Sequence, residues 1–209
     1  MPSEAQQKAA LISAIYPDSQ ASASPVCRHL AATAIVVEVK TVRGVDMSER
    51  GMIVLDNGRS RFQFRAAALI WAQEHILIHR SVADPFWALP GGRVEFHEAS
   101  AETLSREVEE ELGSASTVGP MRLLIENFFE LGGREAHELG FYYDVQLHSP
   151  PPFVQDAIVH RSRDGDTELE FRWALPEQLS SFDLKPTALI PLVTNLPSTF
   201  AHIIHRDHR

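Results

Sequence analysis

The most restrictive stretch of this chain is a helix that carries charge where a helix tolerates it least. From Ala99 to Leu112 the apolar residues Ala101, Leu104, Val108 and Leu112 recur at helical spacing, and Gly113 stands where a helix normally closes. Glu107, Glu110 and Glu111 then fall at i, i+3 and i+4 on an adjacent face. Three crowded carboxylates repel one another, and near a helix C-terminus the macrodipole disfavours each of them. Helix stability gains nothing from this arrangement. A hard divalent cation, Mg²⁺ or Mn²⁺, is the natural compensation for such a cluster of oxygens. An ordinary solvated acidic face is the competing account.

The residues before the helix decide between the two. Gly92 is followed after five residues by Glu98, and after seven more by Arg106-Glu107-Val108-Glu109-Glu110-Glu111-Leu112-Gly113. This pattern resembles the box of the Nudix hydrolases, G-x5-E-x7-R-E-U-x-E-E-x-G-U, where U is a bulky aliphatic residue. Every fixed position matches except the last, where Ser114 replaces the aliphatic residue. The resemblance implies an α/β fold, a Nudix-like α/β/α sandwich with a mixed sheet, extending from about Phe62 to Asn195. It also implies roles. Glu107, Glu110 and Glu111 would hold the metal together with the carbonyl of Gly91, with Glu107, Glu110 and Arg106 in the catalytic machinery. Arg106 and Glu98 would brace the loop against the helix, which requires partial burial, since an exposed pair contributes little. Gly92 would let the loop approach the metal.

The activity implied is Mg²⁺-dependent water attack on a phosphoanhydride of a nucleoside diphosphate linked to another group. Markers of the coenzyme A, NADH, ADP-ribose and dinucleoside polyphosphate branches are not found. A nucleotide or an oxidised nucleotide is therefore the expected small-molecule substrate. Two other classes stay open: a non-catalytic Nudix-fold nucleotide sensor, which would usually lose box glutamates, and an interaction module with a merely acidic helix. No G-x-S-x-G elbow supports a serine hydrolase.

The general base is expected downstream of the box. Glu168 is the first candidate, opening a strand after the charged stretch Arg161 to Asp166, which is expected to be a flexible loop. Glu170 would point to the same side of that strand, and Glu138 is the next alternative. Arg80, ending a strand, is a candidate phosphate ligand, and Trp87 a candidate stacking partner for a base or a core residue.

Elsewhere the sequence sets bounds. Its 209 residues suit one domain with an appendage. A net charge of −9 argues against a nucleic-acid binder with a basic surface. The lone Cys27 offers no disulfide framework, and no apolar run near the start is long enough for a membrane span. A cytoplasmic setting is expected. Residues 1–51 are expected to be an N-terminal extension, within which Ile35–Val39 is the candidate edge strand or homodimer contact. Residues 52–197 are the expected hydrolase domain, and 198–209 a polar, mobile tail carrying His202, His205 and His208. Phe64–Trp71 and His75–Arg80 are expected to form a hairpin, as are Arg122–Phe129 and Leu139–Leu147 around Gly132-Gly133. Glu168–Ala174 should form a further strand, followed by two short helices.

Overall fold

A computed structural model of the chain describes residues 51–207. The expected extension 1–51, including Ile35–Val39, lies outside the described residues apart from Gly51.

Two sheets carry the fold. The first has the order β1-β2-β6-β5-β9, with β1 at Val54–Asp56, β2 at Ser60–Leu69, β5 at Ser116–Leu131, β6 at Arg134–Leu147 and β9 at Ala201–Arg206. It is mixed, because β2 runs parallel to β6 and β5 parallel to β9, while the other pairs are antiparallel. The second sheet is antiparallel, in the order β3-β4-β8-β7. Its strands are β3 at Trp71–Ala72, β4 at His75–Ser81, β7 at Ile158–Asp164 and β8 at Thr167–Ala174.

The first expected hairpin is thus only partly formed. The run from Phe64 divides at Ile70, whose carbonyl accepts from the Leu77 amide at 2.9 Å. Residues before it pair in the first sheet, and Trp71 and Ala72 pair with β4. Alternation along β2 explains why its second half, Ala66 to Leu69, is apolar throughout. Ala66 and Ala68 face one core with Leu104, Val108, Phe171 and Trp173. Ala67 and Leu69 face another with Ile76, Ile78, Leu123 and Leu189. Both faces are therefore covered.

Helix α1, Ser100–Leu112, closes one face. At its start the Glu102 carboxylate accepts from the Ala99 amide at 2.8 Å, satisfying a donor that the helix leaves free. Gly113 ends it with a φ of 63°, a left-handed turn that a Cβ would disfavour. Full burial of Leu104 and Val108 contributes roughly 1.5–3 kcal/mol apiece. On the other face lie a 3-10 segment, Pro176–Phe182, and helix α2, Leu189–Thr194. This is the expected α/β/α layering.

Two expectations need correction. Residues 198–209 are not simply a polar tail, since Ala201–Arg206 form β9 and pair with Leu123–Phe128. Alternation accounts for it: Ala201 and Ile203 turn toward the core, while His202, Ile204 and Arg206 face outward. His202 pairs with Glu126 at 2.8 Å and His205 with Asp207 at 2.9 Å. Nor is Arg161–Asp166 all loop, because its first four residues complete β7, bonded to β8. As an edge strand β7 needs no continuous apolar face, so its charge concealed it. Among the described residues, no helix is long and apolar enough to cross a membrane.

Candidate functional site

The loop Pro90-Gly91-Gly92 runs beside β2, with the Ala66 and Ala68 amides donating to the Gly92 and Pro90 carbonyls at 2.9 and 2.8 Å. So close an approach needs glycine. Gly91 has a φ of 134°, and a Cβ there would collide with the backbone of Ala66 and Ala67. At Gly92 a Cβ would run into the Glu107 carboxylate. The loop is thereby laid directly on the acidic face of α1.

Above it opens a large cleft of about 1710 Å³, lined by Gly91, Gly92, Glu107 and Glu111. Glu111 is buried, and its Oε2 has no hydrogen-bond partner. Burial pushes its carboxyl up to about 8, against the pull of Arg65, with Glu107 and Asp164 adding like charge. Glu107 is also raised, mainly by burial, although Arg106 opposes the shift. His79 Nδ1 lies 3.7 Å from Glu111 Oε2. Burial, reinforced by Arg65, holds this imidazole down at about 3, so it is neutral. Arg65 spans the loop, donating from Nη2 to the Gly91 carbonyl at 2.6 Å and the Leu89 carbonyl at 3.3 Å.

Glu110 does not join this group. Its side chain is 59% exposed and turned to Arg106 at 3.2 Å, and it does not line the cleft. Helical geometry gives the reason. At about 100° per residue, Glu111 sits only about 40° around from Glu107, but Glu110 is about 100° from Glu111. Among the described residues, no three acidic, histidine or cysteine side chains already converge as a cage. The donors nevertheless suit Mg²⁺, which commonly takes one or two carboxylates and completes its octahedron with water and substrate phosphate. The unpartnered Glu111 oxygen, costly to ionise alone, is the feature a cation would relieve.

The other sequence candidates separate. Arg106 and Glu98 form the expected brace, at 2.9 and 3.0 Å. Arg80 lines the cleft but is engaged by Glu170 at 2.7 Å. Trp87 does not line it. It is 5% exposed, packed in the core against Phe182 with Arg80 over its ring, because its short segment bridges β4 and Leu184 instead of ending at the surface. Glu168 is also outside the cleft, 48% exposed and 3.5 Å from Arg161. Alternation on β8 puts Leu169 toward the cleft and turns Glu168 away. Glu170 follows it and is held by Arg80 and Arg161.

Several residues that the sequence does not single out are delivered here by the fold. Arg61, Arg65 and Arg93 all line the cleft. Burial first, then the charges of Arg61 and Arg65, hold Arg93 below the usual arginine value. Crowded guanidiniums of this kind are relieved by a polyanion. Asp164, at the end of β7, also lines the cleft, and its charge is felt by Glu111. The alternation of β2 could have suggested Arg61 and Arg65 as a pair, but Arg93 and Asp164 carry no signal outside the fold.

A family model described as the NUDIX domain matches residues 61–193. Among solved structures, the chain is similar to the E. coli ORF135 protein at 26% identity, covering 63% of this chain and 86% of that one with a TM-score of 0.42. A UDP-X diphosphatase matches at 18% identity, covering 68% and 66% with a TM-score of 0.48. An ADP-ribose pyrophosphatase from Streptococcus suis matches at 14%, covering 68% and 98% with a TM-score of 0.46. No curated protein matches.

Proposed function

The chain belongs to the NUDIX domain family and is a hydrolase of phosphoanhydride bonds, and from that premise we propose that it is Mg²⁺-dependent and acts on a nucleoside diphosphate linked to a further phosphate or other group. The observation that supports this best is that Glu107 and the buried Glu111 share one cleft with the Arg61, Arg65 and Arg93 guanidiniums.

Glu107 and Glu111, with the Gly91 carbonyl and Glu110 after a side-chain rotation, would hold the metal. When bound, Mg²⁺ would neutralise phosphate charge and favour ionisation of a water molecule. The guanidiniums hold the non-bridging phosphate oxygens and place the reacting phosphorus. Asp164 takes the proton of the attacking water on a carboxylate oxygen while a new O–P bond forms. The bridging P–O bond breaks, and its electrons leave on the departing phosphate. We assign this role to Asp164 over Glu168, because Asp164 lines the cleft beside Glu111 and Glu168 does not.

Incubation with Mg²⁺ and a panel of nucleoside triphosphates, oxidised nucleotides and nucleotide sugars, with products identified, tests the function. Release of a nucleoside monophosphate is expected. No turnover of any member with Mg²⁺ or Mn²⁺ would overturn the proposal and favour a sensor. Asp164→Asn should lower kcat about 10²-fold, whereas Glu168→Gln should change kcat less than about threefold. The reverse order would return the base to Glu168.

Gly92→Ala tests the metal assignment separately. The collision is with a flexible side-chain end, so the fold should survive while the Glu107 carboxylate is displaced. Mg²⁺ affinity, read by calorimetry, should fall at least about tenfold, as when the surroundings of a metal ligand are disturbed. Unchanged affinity would remove Glu107 from the ligand set.

A further inference from the structure

Three strands lay a polar row across the cleft floor. Parallel pairing sets Gln63 of β2 opposite Glu138 of β6, and antiparallel pairing sets Glu138 opposite Asn127 of β5. All three side chains are at least nine-tenths buried and line the cleft. The same registers put Arg65 in the next row on one side, and Ala136 with Phe129 in the next row on the other. Residues two apart on a strand share a face, so the row lies between the Arg65 guanidinium and the half-buried Phe129 ring.

Buried polar groups of this kind are costly unless matched. Gln63 Nε2 donates to Glu138 Oε2 and orients the carboxylate. Asn127 Oδ1 has no partner. Opposed residues on neighbouring strands have Cβ atoms about 5 Å apart, so the row presents adjacent acceptors: the carboxylate of Glu138 and the carbonyl of Asn127. A ligand that satisfies them must bring neighbouring N–H donors.

We propose that the Gln63–Glu138–Asn127 row is a nucleobase-reading subsite selective for guanine, whose ring lies against Phe129. This rests on the nucleotide-hydrolase reading above and names its substrate class. Guanine alone among the common bases offers two adjacent donors on one edge, N1–H and the N2 amino group, which match the neighbouring Glu138 carboxylate and Asn127 carbonyl oxygen. Adenine and cytosine set one amino group beside a ring acceptor, and uracil has one N–H between two carbonyls, so each leaves a buried acceptor unmatched. Glu138 is thus a specificity residue, distinct from the proton acceptor Asp164.

Two measurements test it. The kcat/KM values for GTP, ATP, CTP and UTP with Mg²⁺ should favour GTP by at least about tenfold over each, the discrimination a good bidentate contact provides. GMP should likewise bind more tightly than AMP by calorimetry without metal. Glu138→Gln and Asn127→Leu should each bring the guanine-to-adenine ratio down toward one. Turnover of the panel without guanine preference overturns the subsite and leaves the hydrolase reading intact. So does a Glu138→Gln variant that slows every nucleotide by the same factor, which would place Glu138 in the chemistry. If no nucleotide is hydrolysed, the hydrolase reading falls, and GMP against AMP binding still decides the base preference.

Discussion

Glu111→Gln is expected to lower turnover in saturating Mg²⁺ by about 10³-fold, the upper range for removing one preorganised electrostatic contact, and to stabilise the metal-free protein at pH 8. Both effects come from the same burial. The carboxyl is raised from an ordinary 4.5 to about 8, so the folded state binds its proton more tightly than the unfolded state does. Well below pH 4.5 both states are protonated and the residue costs nothing. As pH rises from 4.5 to 8 the unfolded chain ionises freely and the folded one does not, so stability is lost, at about 1.4 kcal/mol for each unit of separation. The melting temperature of the metal-free wild type should therefore fall across this window. The variant, uncharged throughout, should lack that component of the fall. Added Mg²⁺ should restore the wild type at pH 8 by binding the folded state alone. Near-wild-type kcat in the variant would remove Glu111 from the metal site, and unchanged metal-free stability at pH 8 would contradict its burial cost.

What could be read in the sequence was local. Helix α1 carries its own start in Glu102, its apolar face in Leu104 and Val108, and its stop in Gly113, so its bounds follow from contacts within a few residues. The β5–β6 hairpin was legible for the same reason, since Gly132 and Gly133 take positive φ at the turn. Sequence distance hid the rest. Parallel pairing brings Gln63 beside Glu138, and no periodicity along either strand announces a partner so remote. β9 escaped notice because histidine lowers the apparent hydrophobicity of a strand whose inward residues include Ala201 and Ile203. Glu168 is a candidate by position, but the alternation that sends Leu169 inward turns it away from the cleft. Glu110 shows the limit of a helical wheel. Spacing gives neighbours on a surface, and the packing of α1 decides which of them meets the cleft.

Arg106→Ala should be among the most destabilising single substitutions near the site, at about 3 kcal/mol, because it would strand Glu98. The guanidinium grips both oxygens of that carboxylate, Nε to Oε1 at 2.9 Å and Nη2 to Oε2 at 3.0 Å, while Thr103 donates to Oε2 at 2.8 Å. The Glu98 side chain is 8% exposed and that of Arg106 22%. Removing one member of a buried pair costs about 3–5 kcal/mol, because the remaining charge is left without compensation, and the exposed fraction of Arg106 favours the low end. Fork geometry matters too, so Arg106→Lys should recover only part of the loss. The pH dependence has the opposite sense to that of Glu111. Hydrogen bonding from Arg106 outweighs burial and holds the Glu98 carboxyl below its usual range. Its contribution is therefore complete above about pH 4.5 and is lost as the pH falls through the depressed folded value. In the Arg106→Ala variant this acid-sensitive component should vanish, and Glu98→Gln added to it should regain stability by removing the unpaired charge. Urea denaturation at pH 7 of both single variants and the double variant would measure the coupling. A coupling below about 1 kcal/mol, the range of a solvent-exposed pair, would show that the loop is held to α1 by its backbone contacts with β2 and not by this brace.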